Sequence, residues 1–147
     1  MQAQEDGGKS QEVGSLPASL IQWLLRLMGI SLCCAFFPIF FPMSWMVGIH
    51  SWLGLGEAPT DAPIFEYLAR STSVMYFAHG AVAVICSTNV QRYLPIIRMI
   101  AAFNIFAGIV LFGTDLIAGM PSYWTWLEGP PICAGGIVLG WLCSRVE

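Results

Sequence analysis

Four long apolar stretches, separated by short polar connections, dominate the chain after a polar opening segment. They cover residues 20–48, 63–87, 93–118 and 122–144. Each is close to the ~20 residues that an α-helix needs to cross ~30 Å of hydrocarbon. Residues 1–17 show no apolar periodicity, which predicts a disordered cytoplasmic tail. The pattern predicts an all-α membrane protein whose residues 18–147 form an up-down bundle of four transmembrane helices.

Proline and glycine positions predict where these helices bend or stop. Pro38 and Pro42 lie one turn apart in the first stretch, which predicts a kink there. Gly119, followed closely by Pro121, is a stop signal for the third helix. Pro130 and Pro131 interrupt the fourth stretch, so the sequence predicts a kinked or broken fourth helix.

Composition narrows the class of protein. The 147 residues are 56% hydrophobic and only 10% charged, whereas an ordinary soluble domain is roughly 25% charged. Six Lys and Arg residues against nine Asp and Glu residues leave no basic face, so a nucleic-acid partner is not expected. The predicted partner is the lipid bilayer, and a membrane-protein partner or a homo-oligomer is left open.

The basic residues predict the orientation in the membrane. The segments predicted to be cytoplasmic carry Lys9, Arg26, Arg92, Arg98 and Arg145, whereas residues 50–62 and 119–127 carry no Lys or Arg. Because basic residues favour the cytoplasmic side, both termini and the 88–97 connection are predicted to be cytoplasmic. The corresponding location is the bacterial inner membrane.

Charged residues inside the predicted spans form the main candidate site. Glu66, Arg70, Asp115 and Glu128 fall at similar predicted depths near the outer side. One hypothesis is a polar clasp in which Arg70 holds the carboxylates and sets the register of the bundle. The other is an outward-facing cavity whose excess of acid favours a cation or a proton.

His79 and Asn104 form a second candidate pair, closer to the middle of their helices. An interhelical hydrogen bond is one interpretation, and a proton relay through His79 is the other. Asn104 shares its helix face with Ala101, Gly108 and Asp115. Such a stripe of small and polar residues is suited to close helix contact.

The sequence lacks the motifs that are typical of several metal, cofactor and catalytic sites. The five cysteines include no Cys-x-x-Cys pair and no Cys/His cluster with zinc spacing. His50 and His79 fall at different predicted depths, which argues against a shared haem. The sequence contains no P-loop, zincin or nucleophile-elbow motif. No catalytic residue, metal site or cofactor is therefore predicted.

Three segments resemble a group of small, uncharacterised bacterial four-helix integral membrane proteins. They are LARSTSVMYFAHG (68–80), RYLPIIR (92–98) and GTDLIAGMPSYWTWLEGP (113–130). The architecture is also similar to that of DoxX-like proteins. The resemblance implies a four-helix fold in the inner membrane and implies no activity.

These features favour a non-enzymatic membrane protein, either an accessory subunit or a binder of a small polar solute at the charged cluster. The alternative is a small transporter or a proton or ion conduit that uses Arg70, Asp115, Glu128 and His79. A membrane oxidoreductase is a third, more distant hypothesis.

Overall fold

The computed structural model describes residues 3–56, 58 and 62–146, with side chains from residue 16 onward. These residues form helices and connections, without a strand, so the all-α prediction is confirmed. The elements are α1 (Ala3–Cys33), a 3₁₀ segment (Cys34–Phe40), α2 (Met43–Trp52), α3 (Pro63–Ser87), α4 (Val90–Ala118) and α5 (Ser122–Cys143). The backbone of α1 begins at Ala3, but side chains are described only from Leu16. The disordered tail predicted for residues 1–17 therefore stays a prediction.

The first apolar stretch is divided into three elements, where the sequence predicts one kinked helix over 20–48. The α-helix ends at Cys33, and the 3₁₀ segment carries Pro38. Phe41 and Pro42 are both extended, with ψ of 140° and 143°. A proline forces the preceding residue out of the helical region, so Pro42 separates the 3₁₀ segment from α2. Helix α2 is consequently a separate element that the sequence reading did not identify.

Helix α5 is not broken at its two prolines, in contrast to the prediction. All residues from Ser122 to Cys143 are helical, including Pro130 and Pro131. The two prolines lack N–H donors for the carbonyls one turn earlier. Gly129, immediately before them, is buried against α4, and this packing supports the helix across the missing hydrogen bonds. A bend without a break stays a prediction.

Helices α1 and α3 form an antiparallel pair through two glycines. A Cβ added to Gly80 would lie 2.7 Å from the carbonyl oxygen of Gly29, and one added to Gly29 would lie 2.9 Å from the carbonyl oxygen of Gly80. The two backbones therefore touch without intervening side chains. Nearer the end of α3, the Gln22 amide donates a hydrogen bond of 2.9 Å to the carbonyl of Ser87.

Helices α4 and α5 form the second antiparallel pair and make the most extensive contact in the fold. A Cβ at Gly108 would lie 2.6 Å from the carbonyl oxygen of Gly129, and one at Gly136 would lie 2.7 Å from that of Ala101. The predicted small-residue stripe of α4 is thus a packing face. Helix α5 contains a GxxxG motif that runs from Gly136 to Gly140. Gly136 makes the close approach to α4, whereas Gly140 has room for a side chain.

The two pairs meet mainly at one end, where α3 finishes and α4 begins. The buried apolar core lies there and draws on all four long helices: Ile21, Leu25, Ala83, Cys86, Val90, Ile97, Ile100, Ala101, Leu139, Leu142 and Cys143. We call this the basic end, because Arg26, Arg92 and Arg98 lie on its helix segments and Arg145 lies just after the end of α5. We call the opposite end, with Glu66, Asp115 and Glu128, the acidic end.

Two helical segments among the described residues are long and apolar enough to cross a membrane. They are Leu16–Phe40 and Val90–Ala118, and most of each is not buried inside the protein. A core helix of a soluble protein would be mostly buried. Helices α3 and α5 do not meet the same criterion of length and hydropathy; α3 carries Glu66, Arg70 and several hydroxyl residues in its first turns.

The glycine contact predicts a stability difference between two substitutions in α4. Gly108→Ala should lower the free energy of unfolding by about 1–3 kcal/mol, because its methyl group overpacks the α5 backbone. This corresponds to a decrease of a few °C in the thermal unfolding midpoint for a chain of this size.

Gly113→Ala is the matched control, since a Cβ there meets no atom within 4 Å. It should be neutral or stabilise by up to about 1 kcal/mol through helix propensity. Equal midpoints for the two variants would contradict the close approach of α4 and α5.

Candidate functional site

Asp115 is a nearly fully buried acid at the acidic end. It lies in the last turn of α4, is 6% exposed, and its Oδ2 atom has no hydrogen-bond partner among the described residues. The helix terminus holds this turn in place: Gly119 adopts φ +67°, and the Met120 N–H donates to the Asp115 carbonyl at 3.0 Å. The left-handed conformation favours glycine, so the predicted stop signal at Gly119 is confirmed.

Glu128 lies on α5 and faces the same region. Its carboxylate accepts a hydrogen bond of 2.6 Å from the Trp124 indole, one turn earlier on the helix. Asp115 lies close enough to repel it electrostatically, and Tyr76 of α3 lies within the electrostatic range of Glu128. Trp124 and Tyr76 were not identified from the sequence, although the i, i+4 spacing of Trp124 and Glu128 is a signal for their contact.

Arg70 is engaged elsewhere. Its guanidinium contacts Glu66, at 3.0 Å from Nε and 2.8 Å from Nη2 to the same carboxylate oxygen. It also donates to the backbone carbonyls of Ile39 and Phe41, the latter at 3.3 Å. Among the described residues no ion pair joins Arg70 to Asp115 or Glu128. The predicted four-residue cluster is therefore divided into an Arg70–Glu66 pair and a pair of acids.

The geometry explains this division. The carbonyls of Ile39 and Phe41 lack helical donors, because Pro42 has no N–H group and stops the chain from continuing as a helix. Arg70, on the neighbouring helix, supplies donors to them. Sequence spacing alone shows only that Arg70 and the acids have similar depth, and it does not show which way the guanidinium turns.

His79 and Asn104 lie close together between α3 and α4. The ring of His79 packs against that of Phe103, with centroids 5.4 Å apart, and its buried Nε2 atom has no hydrogen-bond partner among the described residues. The Asn104 side chain lies within hydrogen-bonding range of the His79 ring, and its amide donates to the sulfur of Met28, at 3.1 Å. Asn104 thus links α4 to α1, while one nitrogen of His79 is left without a partner.

The acidic end can attract positive charge. Two carboxylates, one of them buried, lie within electrostatic range of each other. Among the described residues neither forms an ion pair, since Arg70 pairs with Glu66 and contacts the backbone. An unpaired buried carboxylate is costly unless it gains a proton or a cation. Among the described residues no group of three His, Cys, Asp or Glu side chains could hold a metal ion. The five cysteines are unpaired, and Cys86 and Cys143 are buried.

The contacts of Arg70 predict that its replacement lowers the free energy of unfolding more than replacement of Glu66, its ion-pair partner. Glu66→Gln should cost less than about 1 kcal/mol of stability, because the pair is partly exposed. Arg70→Gln should cost about 1–3 kcal/mol, because two backbone carbonyls also lose their donor.

Thermal unfolding measures the two costs, and limited proteolysis locates the change. Arg70→Gln should increase cleavage within residues 41–53, and Glu66→Gln should not. Equal stability losses for both variants would show that the carbonyl contacts contribute nothing.

Comparison with known proteins found no match to this chain among protein-family models, curated protein sequences or solved structures.

Proposed function

We propose that this chain is a four-span integral membrane protein that binds a small cation at Asp115 and Glu128, on the outward-facing side of the bundle. The proposed role is non-enzymatic: the two carboxylates attract and hold a positive charge. Arg70 has a structural role in it.

Exposed apolar side chains support the four-span arrangement. Large hydrophobic residues are exposed on α3 and α5 as well as on the two helices that meet the criteria for a span. Examples are Met75 at 69% and Leu127 at 73%, beside Leu27 at 70% and Ile117 at 90%. Soluble monomers rarely expose such surface on every helix, whereas lipid would cover it.

The distribution of charge supports the orientation. Four of the arginines, Arg26, Arg92, Arg98 and Arg145, lie at the basic end, whereas the carboxylates of α3, α4 and α5 lie at the opposite end. This asymmetry agrees with a cytoplasmic basic end under the positive-inside rule. The acidic end would then face outward, where a cation from the surroundings can reach it.

Asp115 is the observation that carries the binding proposal. A carboxylate that is 6% exposed, with one oxygen unpartnered and a second acid nearby, is stable only if positive charge reaches it. The Trp124 indole holds Glu128 beside it. The ring of Trp124 also provides a surface that favours cations.

The four-span arrangement predicts that the loops on either side of α3 lie on opposite sides of the membrane. In a chain without native cysteines, Ala58→Cys should react with an impermeant maleimide in intact bacteria. Gln91→Cys should react only after permeabilisation. Met120→Cys and Arg145→Cys test α5 in the same way, with Met120→Cys labelled from outside.

Two spans alone would give a different pattern. If α3 does not cross, residues 58 and 91 label from the same side. If α5 does not cross, residues 120 and 145 label from the same side. Either result would contradict four spans.

The binding site predicts cation-dependent stability. In nanodiscs at constant ionic strength, Na⁺, K⁺ or tetramethylammonium in place of N-methylglucamine should raise the unfolding midpoint. The stabilisation is about 2.7 kcal/mol at one hundred times the dissociation constant. Asp115→Asn should abolish the shift, whereas the control Glu66→Gln should keep it, because Glu66 is paired with Arg70.

A wild-type midpoint that none of the three cations changes would contradict cation binding. So would an Asp115→Asn variant that responds like the wild type.

Proton conduction is the second candidate function, and one observation favours it. His79, whose Nε2 atom is unpartnered, lies in the interior of α3, whereas Asp115 lies in the last turn of α4. The two residues would be successive positions for a proton between the acidic end and the middle of the bundle. In the same preparation reconstituted into vesicles, proton flux that both Asp115→Asn and His79→Phe abolish would indicate a conduit. Flux equal to that of empty vesicles would exclude one.

A further inference from the structure

Helix α2 is tethered at both ends by polar side chains from other helices. Just before it, Arg70 of α3 donates to the carbonyls of Ile39 and Phe41. Just after it, the Tyr123 hydroxyl at the start of α5 donates to the carbonyl of Leu53. Two contacts from two different helices orient α2 across the acidic end.

The two faces of α2 differ. One face is half-buried and turns toward the protein; on it, the ring of His50 lies 6.0 Å from that of Phe65 at the start of α3. The other face carries Trp45, Ile49 and Trp52, at i, i+4 and i+7. They are 61%, 46% and 84% exposed. None of the residues of α2 is buried.

This outer face is not a pocket for a solute. Trp45, Ile49 and Trp52, together with Ser44 and Gly48, line an open groove of about 380 Å³. All of its lining belongs to α2, so it has no opposite wall. A small-molecule site normally encloses most of its ligand, and this groove cannot.

The chemistry of α2 fits the boundary of a bilayer. The helix has ten residues, about 15 Å, which is too short to cross the hydrocarbon. It contains no Asp, Glu, Lys or Arg. Among the described residues neither Trp45 nor Trp52 donates a hydrogen bond from its indole. Tryptophan concentrates at membrane–water interfaces, because its ring is apolar and its N–H remains hydrated.

The position of α2 along the chain identifies lipid as the occupant of this face. Helix α2 begins three residues after Phe40, where the candidate span Leu16–Phe40 ends. Phe37 and Phe40, in the last turns of that span, are 61% and 68% exposed. The apolar surface of the span therefore continues onto the outer face of α2. Ser44 and Ser51 flank that face and would border water.

We infer that α2 is an interfacial helix that lies along the membrane surface at the acidic end, with Trp45, Ile49 and Trp52 inserted among phospholipid headgroups and upper acyl chains. The inference rests on the proposed insertion of the protein into a membrane. It adds a lipid-binding surface distinct from the Asp115 and Glu128 site.

Site-directed spin labelling tests the inference in the full chain. In a cysteine-free background, Ile49→Cys and Ser51→Cys each receive a nitroxide, and the protein is reconstituted into phosphatidylcholine–phosphatidylglycerol vesicles. Collisions with oxygen report lipid, and collisions with a water-soluble nickel chelate report water. The oxygen-to-chelate ratio at residue 49 should exceed that at residue 51. Ile109→Cys on α4, 61% exposed in the wild type, is the reference for a lipid-facing position.

Three results would overturn the inference. A ratio at residue 49 equal to that at residue 51, with residue 109 still facing lipid, would remove α2 from the bilayer and leave the four-span proposal intact. Dipolar broadening between labels at residue 49 of two chains would show that a second copy covers the face. Chelate access at residue 109 would instead contradict membrane insertion itself.

Discussion

The close approach of α4 and α5 at Gly108 and Gly129 is the contact on which the acidic end depends. Each glycine places its carbonyl oxygen where a Cβ of the other would lie, so the backbones pack directly. In the proposed membrane setting, lipid leaves no strong hydrophobic drive between helices, and such packing would be a main source of their association. Asp115 lies two turns from Gly108, toward the acidic end, and Glu128 directly precedes Gly129. The same contact that joins the helices therefore brings two carboxylates together.

A second glycine contact, between Gly29 and Gly80, makes α1 and α3 a unit with its own role. This pair carries the Arg70–Glu66 interaction and, through it, the junction with α2. The two units share a continuous apolar core only toward the basic end. Toward the acidic end, Tyr76 of α3 lies within electrostatic range of Glu128 on α5. In the proposed function, a small cation would approach at this end, away from the core.

Arg70 shows how the backbone can compete with side chains for a charge. The proline at position 42 leaves carbonyls at Ile39 and Phe41 without helical donors, and the guanidinium satisfies both while it pairs with Glu66. The sequence predicts that Arg70 pairs with Asp115 and Glu128, because the three residues have similar depths. In the structure, Arg70 instead stabilises the bend between the 3₁₀ segment and α2. Asp115 and Glu128 are consequently left without Arg70 as an ion-pair partner.

The helical class, the start of α3 at Pro63 and the end of α4 before Gly119 follow from local signals in the sequence, because proline suits the first turn of a helix and glycine its C-terminal cap. The sequence also identified the packing face of Ala101, Asn104, Gly108 and Asp115, since periodicity reports which residues share a face. Tertiary structure alone decided the partner of Arg70, the continuity of α5 through its prolines and the existence of α2 as a separate helix. Each of these depends on which backbone lies opposite: a guanidinium turns toward the nearest unsatisfied carbonyl, and a proline-containing helix remains whole when a neighbour packs against it.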